Sequence, residues 1–221
     1  MKKFAVVLCG CGPMDGSEIH ESVMTLLAID RNECQYTIFA PDADQFHVVN
    51  HYTKQVMNEK RNMLVEAARI ARGDIHPLIE LKAADFDAVV FPGGYGAAKN
   101  LFNYAIKGTK AVVDAEVERV IKDFHAQRKP IGALCISPVL MAKVLGNITI
   151  TVGTDEKTIH DVETFGAQHI NTQQTEVIAD KENMVFTTPC YMLPATIADI
   201  ADCAENLIET ILENISCASS S

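Results

Sequence analysis

Residues 129–145 read KPIGALCISPVLMAKVL. PIGALC is a short apolar run of the kind that forms a strand buried on both faces, and SPVLMAKVL, marked by Ser137 and Pro138, reads as a short helix. Cys135 therefore stands where a strand stops and turns at once into a helix. This resembles a nucleophile elbow, in which a sharp turn lifts the side chain out of the sheet. The positive end of the following helix and nearby N–H donors are expected to lower the thiol's pKa. Free cysteine is also among the most often buried residue types, so simple packing is the competing reading.

Working outward, the same alternation recurs. KFAVVLCG (3–10) is an apolar run closed by glycine, and DGSEIHESVMTLLAIDRNE (15–33) reads as a helix capped by Asp15 or Ser17, with Val23, Leu26, Leu27 and Ile29 at near-helical spacing. QYTIFAP is the next strand. HVVNHYTKQVMNEKRN (47–62) reads as an inserted hairpin or loop before a helix over NMLVEAARIAR that Gly73 ends. FDAVVFPGGYG is strand then glycine turn, and AVVDAEVERVIKDFHAQ (111–127) is a helix with its apolar face at Val113, Val117, Val120, Ile121 and Phe124. A strand at ITITVG, a helix near EKTIHDVETFG, short strands at TEVIAD and MVFTTP and a last helix at 196–215 complete the series. Alternating strands and helices imply an α/β fold with a largely parallel sheet, whose sites form at the carboxyl ends of the strands.

The chain has 221 residues, 48% of them hydrophobic, enough for one sizeable core; a single domain over 1–215 and a disordered tail over 216–221 are expected. A net charge of -10, with 29 acidic against 19 basic residues, disfavours a nucleic-acid surface. No apolar segment reaches the roughly 18 residues needed to span a bilayer. The run in MKKFAVVLCG is too short for a signal peptide. Seven cysteines without framework spacing suggest free thiols in a reducing compartment, and a soluble, cytoplasmic protein is expected.

Three strand ends are chemically loaded. In LCGCGPMDGSEIHE, Glu18 and Glu21 fall on one face at the start of a helix, where carboxylates also serve merely to oppose the helix dipole. Cys9 and Cys11 point to opposite faces of an extended chain, and no second pair follows, so a metal site is not expected. In FPGGYGAAKNL, Gly93 and Gly94 make a tight turn whose N–H groups suit an oxyanion or a phosphate, although neither GxGxxG nor a P-loop is present. The third end is Cys135 itself.

Taken together, the glycines before DGSEIHES, then FAPD, HVVNH, RNMLVEAARIARG, FPGGYGAAKNL, KPIGALCISPVL and TTPCYM resemble the ElbB or ES-one type of the PfpI superfamily, with the class I glutamine amidotransferase-like fold. The resemblance runs from about Lys2 to Ile215. It implies a flavodoxin-like three-layer sandwich with Cys135 as the nucleophile and Glu21 as the glutamate sharing a hydrogen bond with it. Glu18 would support Glu21, and the N–H groups of Gly94 and Ile136, beside Gly93, match the oxyanion pair. The chain departs from its relatives where histidines are due: Ile136 follows the cysteine, VFTTPCYM holds neither the histidine nor the glutamate of true amidotransferases, and TVGTD offers Gly153 and Thr154. His20 and His51 are the first candidates to enter the site through the fold.

A cysteine beside a carboxyl, with no imidazole, is poor equipment for amide hydrolysis but suits a 2-oxoaldehyde. The resemblance implies a glutathione-independent glyoxalase, homodimeric, with no metal or cofactor, acting on glyoxal or methylglyoxal. The alternatives are a redox-responsive or regulatory pocket of low turnover, and a relic amidotransferase serving as a partner subunit in isoprenoid or other metabolism.

Overall fold

The apolar runs become the centre of one sheet in a computed structural model that describes residues 1–218. In chain order the elements are β1 (Lys3–Val7), α1 (Ile19–Arg31), β2 (Gln35–Ala40), a hairpin of β3 (Val49–Asn50) and β4 (Gln55–Val56), α2 (Met63–Ala67), β5 (His76–Pro77) and β6 (Ala88–Phe91). There follow α3 (Ala97–Asn100), α4 (Tyr104–Lys107), α5 (Ala115–Ala126), β7 (Ile131–Leu134), α6 (Ser137–Leu145), β8 (Thr149–Ile150), α7 (Glu156–Thr164), β9 (Gln168–His169), β10 (Ile178–Asp180), β11 (Val185–Thr188) and α8 (Ile197–Ala218).

Seven strands pair in the order β10-β11-β7-β6-β1-β2-β5, parallel throughout except for β10. Four of these, β1, β6, β7 and β11, are almost wholly buried, as continuous apolar strands covered on both faces must be. α1 and α8 pack on each other over one face, and α5 and α6 over the other, giving the expected three-layer sandwich. Where α8 crosses β7, a side chain at Gly132 would meet Ile211 and Leu207, so the small residue lets the helix lie close.

The helix expected over 111–127 forms from Ala115 to Ala126: Asp114 caps it by accepting from Glu116 and Val117 N–H, and Val117, Val120, Ile121 and Phe124 are fully buried, whereas Val113, expected on the same face, lies before the cap and bridges to Phe102. Other expectations are corrected. The cap of α1 is neither Asp15 nor Ser17 but Glu18, whose carboxylate accepts the Glu21 N–H at 2.7 Å. Asp15 instead accepts from Val49 N–H, tying down the β3–β4 hairpin, and Ser17 Oγ accepts from Cys9 N–H. The buried face of α1 is Glu21, Ser22, Thr25, Ala28 and Ile29, while Val23 and Leu27 face outward.

The helix expected over NMLVEAARIAR is regular only through Ala67. Beyond it Ile70 N–H reaches back three residues to Ala67 O, and Gly73, at φ +88°, ends the turn by donating to Ala68 O. The strand expected at ITITVG does not join the main sheet; β8 pairs only with β9. β10 already occupies the free edge of β11, and beyond β8 the Thr151 and Val152 N–H groups are satisfied by Thr187 Oγ1 and His169 Nε2. α8 continues past Ile215 to Ala218, and residues 219–221 of the expected tail lie outside the described residues. No helix among the described residues is long and apolar enough to cross a membrane.

The two faces of α1 and α5 give a direct test. Phe124→Ala should cost about 3–5 kcal/mol through the cavity it leaves, whereas Val23→Ala should stay within about 0.5 kcal/mol. Thermal unfolding reads the difference, and an equal loss for both would mean that the buried face of α1 is misassigned.

Candidate active site

β7 ends at Leu134, and Cys135 takes φ +59°, a left-handed conformation that a side-chain-bearing residue adopts only under constraint. Its N–H donates to Thr188 O at 3.0 Å, Ile136 turns into α6, and Ser137 Oγ donates to Pro92 O at 2.9 Å. These bonds fasten the elbow to both neighbouring strand ends. Cys135 is buried, only 7% exposed, with the N–H groups of Gly94 and Ile136 directed at its sulfur.

The Glu21 carboxyl lies against the same sulfur. Its Oε2 accepts from Gly93 N–H at 2.8 Å, while the fully buried Oε1 has no hydrogen-bond partner within the protein. Gly93 must be glycine because a Cβ there would sit 2.5 Å from Cys135 Cβ and 2.8 Å from Glu21 Oε2. Gly94 (φ +106°) is equally confined, since its Cβ would come 2.6 Å from Glu18 N. Glu18 N–H closes the contact by donating to Gly93 O at 2.9 Å. Glu18, Glu21, Gly93, Gly94, Cys135 and Ile136, widely separated in the chain, thus meet at one place.

Burial pushes the Glu21 carboxyl up to about 8, with the Glu18 carboxylate adding to the rise and the Gly93 N–H opposing it. Burial also pushes the Cys135 thiol well up, with the neighbouring Glu21 reinforcing it; the N–H groups of Gly94 and Ile136 pull the other way but are outweighed. The lowered thiol pKa expected from the elbow is therefore corrected. A buried carboxylate and a buried thiolate in contact do not both ionise; through neutral pH both groups stay protonated, and the first proton lost, near 8, is that of Glu21.

Above the pair opens a pocket of about 490 Å³. Its walls are largely apolar, from Pro13, Met14, Tyr95 and Met192, with Cys135 and Ile136 at the base. Its polar side carries His20, whose Nδ1 shares a 2.8 Å hydrogen bond with Tyr191 Oη. His51 takes another part: its Nε2 accepts from Met14 N–H and its Nδ1 donates to Val49 O, so it fastens the loop before α1 to the hairpin. Sequence motifs pointed to neither Tyr191 nor Tyr95; the proximity of TTPCYM and GGYG to the elbow is visible only after folding.

Cys190, in the late turn, is buried at φ +43° and interacts most closely with Cys203 of α8 rather than with Cys135. Gln174 Nε2 donates to both Cys190 O and Cys203 Sγ at 3.4 Å. Cys9, Cys11, Cys34, Cys135, Cys190 and Cys203 are all free thiols. No group of three His, Cys, Asp or Glu side chains among the described residues is arranged to hold a metal ion.

Residues 6–189 match the DJ-1/PfpI family. The chain is 44% identical to "ES1 protein homolog, mitochondrial" of Rattus norvegicus over 96% of its own length and 83% of the relative's. It is 43% identical to "Glutamine amidotransferase-like class 1 domain-containing protein 3, mitochondrial" of Homo sapiens, covering 96% and 82%. Among solved structures, an isoprenoid biosynthesis protein with amidotransferase-like domain from Ehrlichia chaffeensis superposes with a TM-score of 0.89 at 33% identity, over 96% of this chain and 99% of the other. Both mammalian relatives are named mitochondrial, which overturns the cytoplasmic location expected from the sequence.

The buried carboxyl makes stability depend on pH. Between the ordinary value of 4.5 and about 8, folded Glu21 keeps a proton that the unfolded chain has lost, so its contribution to stability falls as pH rises through that window. Glu21→Gln keeps an acceptor for Gly93 N–H and has no such dependence. Its melting temperature should gain on wild type by several degrees, on the order expected for a few kcal/mol, from pH 4.5 to 8, and no further above it. A difference that stays constant across that range would show that Glu21 is ionised in the fold.

Proposed function

The chain belongs to the DJ-1/PfpI family, and on that premise we propose that it is a glutathione-independent, cofactor-free, glyoxalase-like enzyme converting 2-oxoaldehydes such as glyoxal and methylglyoxal to 2-hydroxy acids. The observation that carries this reading is the contact of Cys135 with the buried Glu21 carboxyl at the base of a pocket, with two N–H groups aimed at the reacting atom.

The Cys135 sulfur adds to the aldehyde carbon as Glu21 takes the thiol proton, and the carbonyl electron pair moves to an oxygen held by Gly94 and Ile136 N–H. Glu21 hands the thiol proton to that oxygen, completing the hemithioacetal, and then takes the C1 proton, forming an enediolate. Glu21 returns that proton to C2, leaving a thioester at C1. Water hydrolyses the thioester, the 2-hydroxy acid leaves and the thiol is restored. The sum is aldehyde plus water, with C1 oxidised, C2 reduced and no external electrons. A carboxyl poised near 8 is suited to act first as base and then as acid.

Ile136 after the nucleophile and the absence of histidine from VFTTPCYM count against glutaminase or protease chemistry. The redox-responsive alternative finds less support, because burial reduces the thiolate fraction on which peroxide acts. A link to isoprenoid metabolism is carried only by the name of the Ehrlichia relative. The reading includes a mitochondrial location, on the relatives' names, and a homodimer. Ile19, Val23 and Leu27, exposed at successive turns of α1, are compatible with such pairing, and light scattering that gives a monomer mass would remove this part.

The purified protein should turn over glyoxal and methylglyoxal without glutathione, with kcat/KM rising through about pH 8 as the Glu21 carboxyl loses its proton and becomes the base for the thiol. Cys135→Ser should lose nearly all turnover and Glu21→Gln about 10²–10⁴-fold. Wild type no faster than Cys135→Ser would end the enzyme reading, and selective oxidation of Cys135 by mild peroxide, seen by mass spectrometry, would then favour the redox one.

A further inference from the structure

The pocket above Cys135 is far larger than the simplest 2-oxoaldehydes require. Methylglyoxal has about five heavy atoms and fills on the order of 150 Å³ at the roughly 30 Å³ that a water molecule takes in the liquid. The pocket holds about 490 Å³. A small polar aldehyde would leave most of the apolar wall against water, and would gain nothing from it.

That wall is also fixed in place before any ligand arrives. Lys99 Nζ donates to Met14 O at 2.9 Å and lies over the Tyr95 ring, 4.6 Å from its centroid, joining the two sides of the apolar wall. Met14 is held at its other end by the N–H donated to His51 Nε2. Across the mouth, the Tyr191 phenol is anchored by His20. Met192 contributes an unbranched, adaptable thioether to the same cavity. A ready-made apolar surface with a few oriented polar groups is the usual form of a site for a ligand with an apolar body.

We infer that the pocket selects 2-oxoaldehydes bearing a bulky apolar substituent, an aryl or branched alkyl group, with the aldehyde carbon at Cys135 and the substituent lying along Met14, Tyr95 and Met192. This rests on the glyoxalase-like reading and names the substrate class within it. The reaction is unchanged: addition at C1, transfer of the C1 proton to C2 and hydrolysis of the thioester.

The experiment compares glyoxal, methylglyoxal and phenylglyoxal with the full-length protein, without glutathione. kcat/KM for phenylglyoxal should exceed that for methylglyoxal at least tenfold, and Met192→Gln should lower the ratio of phenylglyoxal to glyoxal turnover at least threefold. Turnover of all three with glyoxal or methylglyoxal fastest would overturn the inference while leaving the enzyme reading intact. Turnover of none would end the enzyme reading, and binding then decides about the pocket. In calorimetric titration mandelate should bind at least tenfold more tightly than lactate, a preference that Met192→Gln reduces; equal or undetectable binding of the two would overturn the inference as well.

Discussion

A carboxyl group buried in direct contact with a thiol is the constraint around which this site is organised. Glu21 has no access to water, one of its oxygens is held by Gly93 N–H and the other has no partner in the protein. Removing a carboxylate from water is costly enough that the group keeps its proton instead, which is why burial pushes it to about 8. A group in that state can give or accept a proton near neutrality. The same burial makes Cys135 a poor thiolate on its own and couples its ionisation to the carboxyl beside it.

The arrangement depends on backbones approaching more closely than side chains allow. Gly93 leaves room for the sulfur and the carboxyl together, Gly94 brings its N–H toward the sulfur while passing over Glu18, and a Cβ at Gly96 would come within 2.0 Å of Gly16 N. The loop after β1 and the loop after β6 therefore pack backbone on backbone. That packing sets α1 at the angle that sends Glu21 inward, and the Glu18 carboxylate caps the first turn from the same place. The elbow is locked from the opposite side by Thr188 O and Pro92 O.

Much of this was legible in the sequence because strong local signals agreed. KFAVVLCG, FDAVVFPGG and PIGALC are continuous apolar runs ending at glycine or cysteine, a pattern that only strands buried on both faces require. The spacing of Val117, Val120, Ile121 and Phe124 marked α5, although its start at Asp114 and the place of Val113 outside it came only with the fold. Signals failed where a neighbour overrode them. Val23 and Leu27 follow the helical period but face outward, since α1 buries the face of Glu21, Ser22, Thr25, Ala28 and Ile29 instead. ITITVG has strand composition, yet β10 had already taken the edge it would have joined.

By itself the sequence determined the α/β alternation, the strand ends that carry chemistry and the family motifs that pick out Cys135 and Glu21, since each depends on residues close together in the chain. Only the tertiary structure decided which histidine enters the pocket, His20 rather than His51. It also decided that Tyr191 and Tyr95 form the pocket mouth, and that the thiol is pushed up rather than down. Those outcomes depend on burial and on contacts between segments more than seventy residues apart, such as Glu21 with Gly93 and His20 with Tyr191. Water exclusion and proximity are properties of the folded chain, and no local spacing encodes them.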